Sequence, residues 1–258
     1  MRLAKKMGAL IVALVCSFGC CTNTFALGEL KGTTITALVN PVGPPFAFIT
    51  DDVEHPQGID VDMILELQRR LGFKLKEDRI FLDSFPEAME RVRTGRADIL
   101  GGGVSYTVER TQEFDFTPIY YESSLALLYS TTHNPNIDSL KDIKGKTIGV
   151  QQGSTSAGYA ERYGANTVLF NNVILAYFQV AMGRMDGIIF DRPEVADFAR
   201  VMPSLSLSVT DDVFGTDECQ FSLALTKNSK YRKIFAKTME EMFMDGTIDA
   251  IKAKWHAQ

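Results

Sequence analysis

Beyond residue 26 the sequence has a single cysteine, Cys219. One cysteine cannot form an internal disulfide or a thiolate zinc site, so this stretch must hold its fold by its core. Histidine is scarce too: His55, His133 and His256 are far apart and lack metal-ligand spacing. No Walker loop or nucleophile elbow occurs. There is no basic excess, since the formal net charge is −5, and this excludes a nucleic-acid footprint. The one long apolar run, residues 8–19, is too short to remain a membrane-spanning helix. The absences leave a globular, cofactor-free chain with 45% hydrophobic residues.

Residues 1–26 have a character of their own. Arg2, Lys5 and Lys6 precede the apolar run, and a short polar stretch ends at Thr24-Phe25-Ala26. Basic, apolar and small residues in that order predict an export signal cut after Ala26. Ser17-Phe18-Gly19-Cys20 partly resembles a lipobox, which makes lipid attachment at Cys20 the rival processing route. The segment holds three of the 27 basic residues and none of the 32 acidic ones. Residues 27–258 therefore carry 24 basic against 32 acidic side chains, a formal −8.

The rest alternates between strand and helix patterns. Strands are expected at 33–39, 73–80, 97–100, 146–151, 167–170 and 187–190. Helices are expected at 59–71, 85–94, 154–163 and 173–182, each stopped by a glycine. Gly95-Arg96-Ala97-Asp98 is echoed by Gly183-Arg184-Met185-Asp186, each closing a helix and opening a strand. The pattern implies two similar α/β units, each a mainly parallel sheet flanked by helices. Residues 221–255 read as a strand and an amphipathic helix, with Phe235, Met239, Met242 and Phe243 as its apolar stripe. If that segment returns to the first unit, the chain crosses twice, near 120–124 and 218–222. Lobe 1 is then 27–121 plus 222–258, lobe 2 is 122–221, and the paired crossings form a hinge.

Ligands of such sheets sit beyond the carboxyl ends of strands. Gly103-Val104-Ser105-Tyr106-Thr107-Val108-Glu109-Arg110 lies at one such end. Thr107 is expected to cap a helix whose first turn holds Arg110. Helix-start amides, the Ser105 hydroxyl and the Arg110 fork would cradle a carboxylate. The plain alternative is a capped helix with Arg110 paired to Glu109 or Asp115. Gln152-Gly153-Ser154-Thr155 is a second strand-to-helix turn, where Ser154 or Thr155 either caps the helix or supplies donors from the other lobe. Asp191 ends an apolar strand and either holds an ammonium group or caps the next helix. Phe46, Phe48 and Phe81 lie near the same rim, able to pack on a ligand.

These strings, in this order, resemble the family 3 extracellular solute-binding proteins, the amino-acid receptors of ABC importers. The likeness runs over nearly all of 28–256. Besides the segments above, it rests on Pro44-Pro45-Phe46-Ala47-Phe48, Gly58-Ile59-Asp60-Val61-Asp62 and residues 114–121. It continues through 143–150, then Asp245-Gly246-Thr247-Ile248 and Trp255. The resemblance implies a two-lobed type II binding fold, an interlobe cleft and docking of the closed form on transporter membrane subunits. It implies that Arg110, with Ser105 and the Ser154–Thr155 turn, binds the ligand carboxylate. Asp191, with the Gly103 carbonyl and Ser105, would take the amino group. Phe81 before Pro86 would stack on the ligand side chain, with Phe85 as the alternative, and Phe46 would line the mouth. Relatives that bind cationic amino acids carry an acid and an aromatic near Asn40 and Gly43. Their absence argues against lysine or arginine and for a neutral polar ligand. No metal, cofactor or nucleic acid is expected, and the protein is expected to act as a monomer. Two other classes share the likeness: an exported enzyme of the cyclohexadienyl dehydratase kind, and a stand-alone sensory receptor.

Overall fold

The computed structural model describes residues 28–257. The export-signal and Cys20 expectations fall outside that range. Within it, two five-stranded sheets carry the molecule. The first runs Phe81–Leu82, Ala37–Val39, Ile99–Gly101, Ala224–Thr226, Phe114–Phe116. The second runs Asn166–Phe170, Thr147–Gln151, Gly187–Asp191, Leu125–Ser130, Leu207–Val209. In each, three neighbouring strands are parallel. The other two are added antiparallel, one of them the strand that the chain forms on arriving from the other lobe. The two crossings pair as a short antiparallel ribbon, Tyr121–Glu122 against Gln220–Phe221. This is the type II two-lobed binding fold.

Seven helices among the described residues flank the sheets: α1 Ile59–Leu71, α2 Phe85–Arg93, α3 Ser156–Arg162, α4 Val173–Ala181, α5 Arg192–Val201, α6 Arg232–Met244 and α7 Thr247–Lys254. Strand alternation decides which helix covers which face. Ala37 and Val39 point to the side where Met63, Ile64 and Leu67 of α1 and Phe235 and Met239 of α6 pack. Leu38 points to the other side, against Phe85, Ala88 and Val92 of α2. In lobe 2, Ala126, Leu128, Ile188 and Phe190 pack on α4 and α5 through Ala176, Tyr177 and Val195.

Several expectations change. Residues 73–80 form only the strand Lys74–Leu75, then a 3-10 turn with Glu77 and Asp78 at φ 55° and 53°. Left-handed backbone at two successive non-glycine residues ends the strand. The helix expected after Thr107 is a three-residue 3-10 turn, Arg110–Gln112. The C-terminal helix is two helices, broken at Gly246 with φ 78°. Phe243 lies outside its stripe and is 39% exposed. Among the described residues no helix is long and apolar enough to cross a membrane.

Candidate functional site

The strand Ile99–Gly101 ends in Gly102 and Gly103, and their placement rests on Asp60. This fully buried carboxylate accepts the Gly102 amide and, at 2.8 Å, the Gly103 amide through Oδ2. The Tyr120 hydroxyl donates to its Oδ1. Burial still outweighs the three donors and pushes the Asp60 pKa up to about 6. Gly102 has no room for a side chain: at φ 102° its Cβ would stand 2.4 Å from the Asn40 carbonyl oxygen.

Arg110 reaches across the cleft. Its Nη1 donates to the Ser105 carbonyl at 2.8 Å, its Nη2 to the Gly153 carbonyl of lobe 2 at 2.9 Å, and its guanidinium lies 5.4 Å from the Phe85 ring centre. Burial pulls its pKa below the ordinary arginine value, and Asp191 opposes that shift. Thr107 accepts the Arg110 amide at 3.1 Å, as a cap would. A single 3-10 turn has no macrodipole of consequence, so the charge here is that of the guanidinium. The pairing with Glu109 or Asp115 does not form; Asp115 instead accepts the Ser229 amide at 3.0 Å.

From lobe 2 come Asp191 and the 151–156 turn. The Asp191 side chain makes no cap bond. It is 7% exposed, with the Cys219 thiol donating to it at 3.5 Å. Burial pushes its pKa up to about 7, against the pull of that thiol and of Arg110. Ser154 does not cap either. Its hydroxyl donates to the Gln151 carbonyl at 2.8 Å and lies 2.6 Å from the Ser156 hydroxyl. Thr155 precedes α3 without a side-chain cap bond. Gln151 Nε2 donates to Asn40 Oδ1 at 3.1 Å, and Asn40 Nδ2 donates to the Asp83 carbonyl at 3.0 Å. Lobe contact therefore occupies Asn40.

Arg110, Ser105, Gly103, Asp191, Ser154 and Thr155 line one chamber between the lobes, of about 10 Å³. That is room for about one water, so a solute of any size requires the lobes to part. The chamber adjoins a front groove of about 760 Å³ that shares Phe85, Arg110, Ser154 and Thr155. Two expected residues lie elsewhere. Phe46 is fully buried, edge-on to Tyr121 and Phe221 at the hinge, because its loop folds inward. Phe81 is flanked by the Arg79 and Arg91 guanidinium groups, at 4.6 and 5.9 Å from its ring centre. Phe85 lines the chamber in its place, as do Gln151, Ser156 and Phe190. The position of Gln151 as the last residue of a strand could have marked it. Asp60 belongs to the Gly58–Asp62 motif, but no local pattern marks an acid that folds onto a loop 42 residues away. Among the described residues no group of three or more His, Cys, Asp or Glu side chains could hold a metal ion.

Fold and site define a two-lobed receptor for a small solute, with Arg110 from one half and Asp191 from the other lining its chamber. The sequence matches the bacterial extracellular solute-binding proteins, family 3, over residues 35–258, and the chain belongs to that family. It is 28% identical over 258 residues to the L-cystine-binding protein TcyJ of Escherichia coli, covering 96% of this chain and 93% of that one. The arginine-binding extracellular protein ArtP of Bacillus subtilis is 26% identical over 202 residues, 77% of each chain. Among solved structures, an ancestral arginine-binding protein bound to glutamine superposes with a TM-score of 0.79 at 28% identity, over 87% of this chain and 98% of that one.

Proposed function

We propose that the protein captures an amino acid, or a small carboxylate related to one, in the interlobe cleft outside the cytoplasmic membrane and delivers it to the membrane subunits of an ABC importer. The observation that carries this is the meeting of Arg110 and Asp191 on one chamber from opposite lobes. Arg110 exchanges its carbonyl partners for the ligand carboxylate, with Ser105, Ser154 and Thr155 beside it. Asp191 takes the ammonium, with the Gly103 carbonyl. Closure shuts out water and strengthens both contacts. We assign lobe 1 to 27–121 plus 222–258 and lobe 2 to 122–221, acting as a monomer.

Asn40 no longer counts against lysine and arginine, because it is engaged with Gln151 and Asp83. A relative named for arginine points the same way, so the ligand class includes cationic amino acids. This relative and the one named for cystine are both named as binding proteins, which supports a receptor over a dehydratase.

A thermal-shift panel of the amino acids, cystine and prephenate tests the function. A true ligand at about 100 times its Kd adds roughly 2.7 kcal/mol, and Arg110→Ala and Asp191→Asn each remove that shift. A panel with no response, an unchanged response in Arg110→Ala, or turnover of prephenate overturns the reading. We further propose export through residues 1–26, which intact-mass measurement of the secreted chain tests. A start at Leu27 supports cleavage after Ala26, and a lipid-bearing Cys20 replaces it.

A further inference from the structure

One buried acid at the cleft has no part in those ligand contacts. Glu194 sits in the first turn of α5 and is 2% exposed. Its side chain leaves lobe 2 and lies against lobe 1. Its Cγ is 4.0 Å from where a Cβ on Gly43 would stand, and its Oε1 is 3.5 Å from the corresponding point on Gly103, where the Phe46 ring also packs. Neither carboxyl oxygen meets water or has a hydrogen-bond partner in another residue. The titratable groups that face it are Asp191 and Asp197 beside it, Asp60 from α1, Tyr120 and Tyr121 from the first crossing, Tyr177 from α4 and Cys219 from the second crossing. None of these is a cation. Burial first, then Asp191 and Asp60, hold its pKa well above the ordinary glutamate value; only its own backbone amide favours the anion.

An ionised carboxylate without a partner is strongly disfavoured in such a place. Part of the wall that encloses this one, at Gly43, Gly103 and Phe46, belongs to the opposite lobe, so the penalty is greatest while the lobes are together. We propose that Glu194 is a proton-operated latch: the lobes close over its neutral acid and are pushed apart when it ionises, so closure takes up a proton. This rests on the lobes opening and closing, but not on which solute they hold. The closed form binds more protons at this site than the open form. The closed-to-open ratio therefore falls as pH rises above the ordinary glutamate value, by up to about tenfold per pH unit, until the closed-form pKa is passed.

The test uses the chain from Leu27 onward with no amino acid added, so it stands apart from the ligand panel. Wild type, Glu194→Gln and Glu194→Leu are compared by small-angle scattering from about pH 5 to about pH 9 and by infrared spectroscopy of the carboxylic acid band. Wild type is expected to show acid-band intensity near neutrality beyond that of Asp60 and Asp191, an excess that both variants lack, and to expand as that excess disappears. Both variants, which cannot ionise at 194, stay compact over the same range. Circular dichroism reports folding, and either variant alone suffices. Acid-band intensity that is equal in wild type and variants, or expansion that is absent from wild type or equal in the variants, overturns the latch.

Discussion

Asp60 and Glu194 are both sealed from water at the floor of the cleft, one from each lobe, and they are served in opposite ways. Asp60 has two backbone amides and a phenol aimed at it. Glu194 has nothing from any other residue. A buried carboxyl with partners fixes geometry; one without them favours whichever conformation relieves it. The first kind holds the Gly102–Gly103 turn still within lobe 1. The second stands where two bodies must move.

Removing each acid should break the comparison most visibly. Asp60→Ala orphans two amides and the Tyr120 hydroxyl and should cost about 3–5 kcal/mol in urea unfolding. Glu194→Leu orphans nothing and should stay within about 1 kcal/mol, on the stabilising side in alkali. Equal losses would show that Glu194 has partners in solution. The turn that Asp60 holds gives a finer version. Gly102→Ala drives a Cβ to 2.4 Å from the Asn40 carbonyl oxygen and should cost about 2–4 kcal/mol. Gly103→Ala meets only ordinary contacts at φ 70° and should cost about 1–2 kcal/mol, the left-handed penalty alone.

Acidity separates this cleft from an ordinary protein surface. Asp60 and Asp191 have folded-state pKa values raised to about 6 and about 7 by burial. Raised acids mean that the folded state holds more protons than the unfolded one. Their stabilising effect is therefore complete below the ordinary carboxylate range. It is lost as pH climbs through about 6 and about 7, by at most about 1.4 kcal/mol per pH unit per group, and levels off above. Unfolding midpoints measured without ligand should fall across that window. A ligand ammonium beside Asp191 should flatten the upper part, since it favours the ionised carboxyl. A midpoint that rises between pH values of about 5 and 8 would contradict both assignments.

Legibility in the sequence followed the range of the interaction. Apolar spacing and Gly72 placed α1 at its observed bounds, because a helix facing one core repeats its side chains locally. Strand ends located Asp191, Gly103 and Ser105 for the same reason: the chain itself marks where a strand stops. The 73–80 strand failed because nothing in the local pattern announces positive φ at Glu77 and Asp78. Phe46 has the same composition as a rim aromatic, and only the inward fold of its loop buries it against Tyr121 and Phe221. Glu194 was invisible as a special residue, since an acid in the first turn of a helix is ordinary and its isolation is created by the opposite lobe.

The smallest expected effect separates two neighbouring aromatics. The family likeness gives ligand stacking to Phe81, whereas the chamber wall is formed by Phe85, over which Arg110 lies. Phe81 is occupied by Arg79 and Arg91 on its faces. With the best responder from the ligand panel, Phe85→Leu should weaken binding about tenfold, near 1.4 kcal/mol, through lost ring contact and a less constrained Arg110. Phe81→Leu should change affinity only a few-fold, because the ring's partners belong to its own lobe and persist in both conformations. The reverse order in a titration would mean that opening and reclosing around the solute swings Phe81 inward. Stacking would then belong to that residue, and the wall seen at Phe85 would be a feature of the tightly shut form alone.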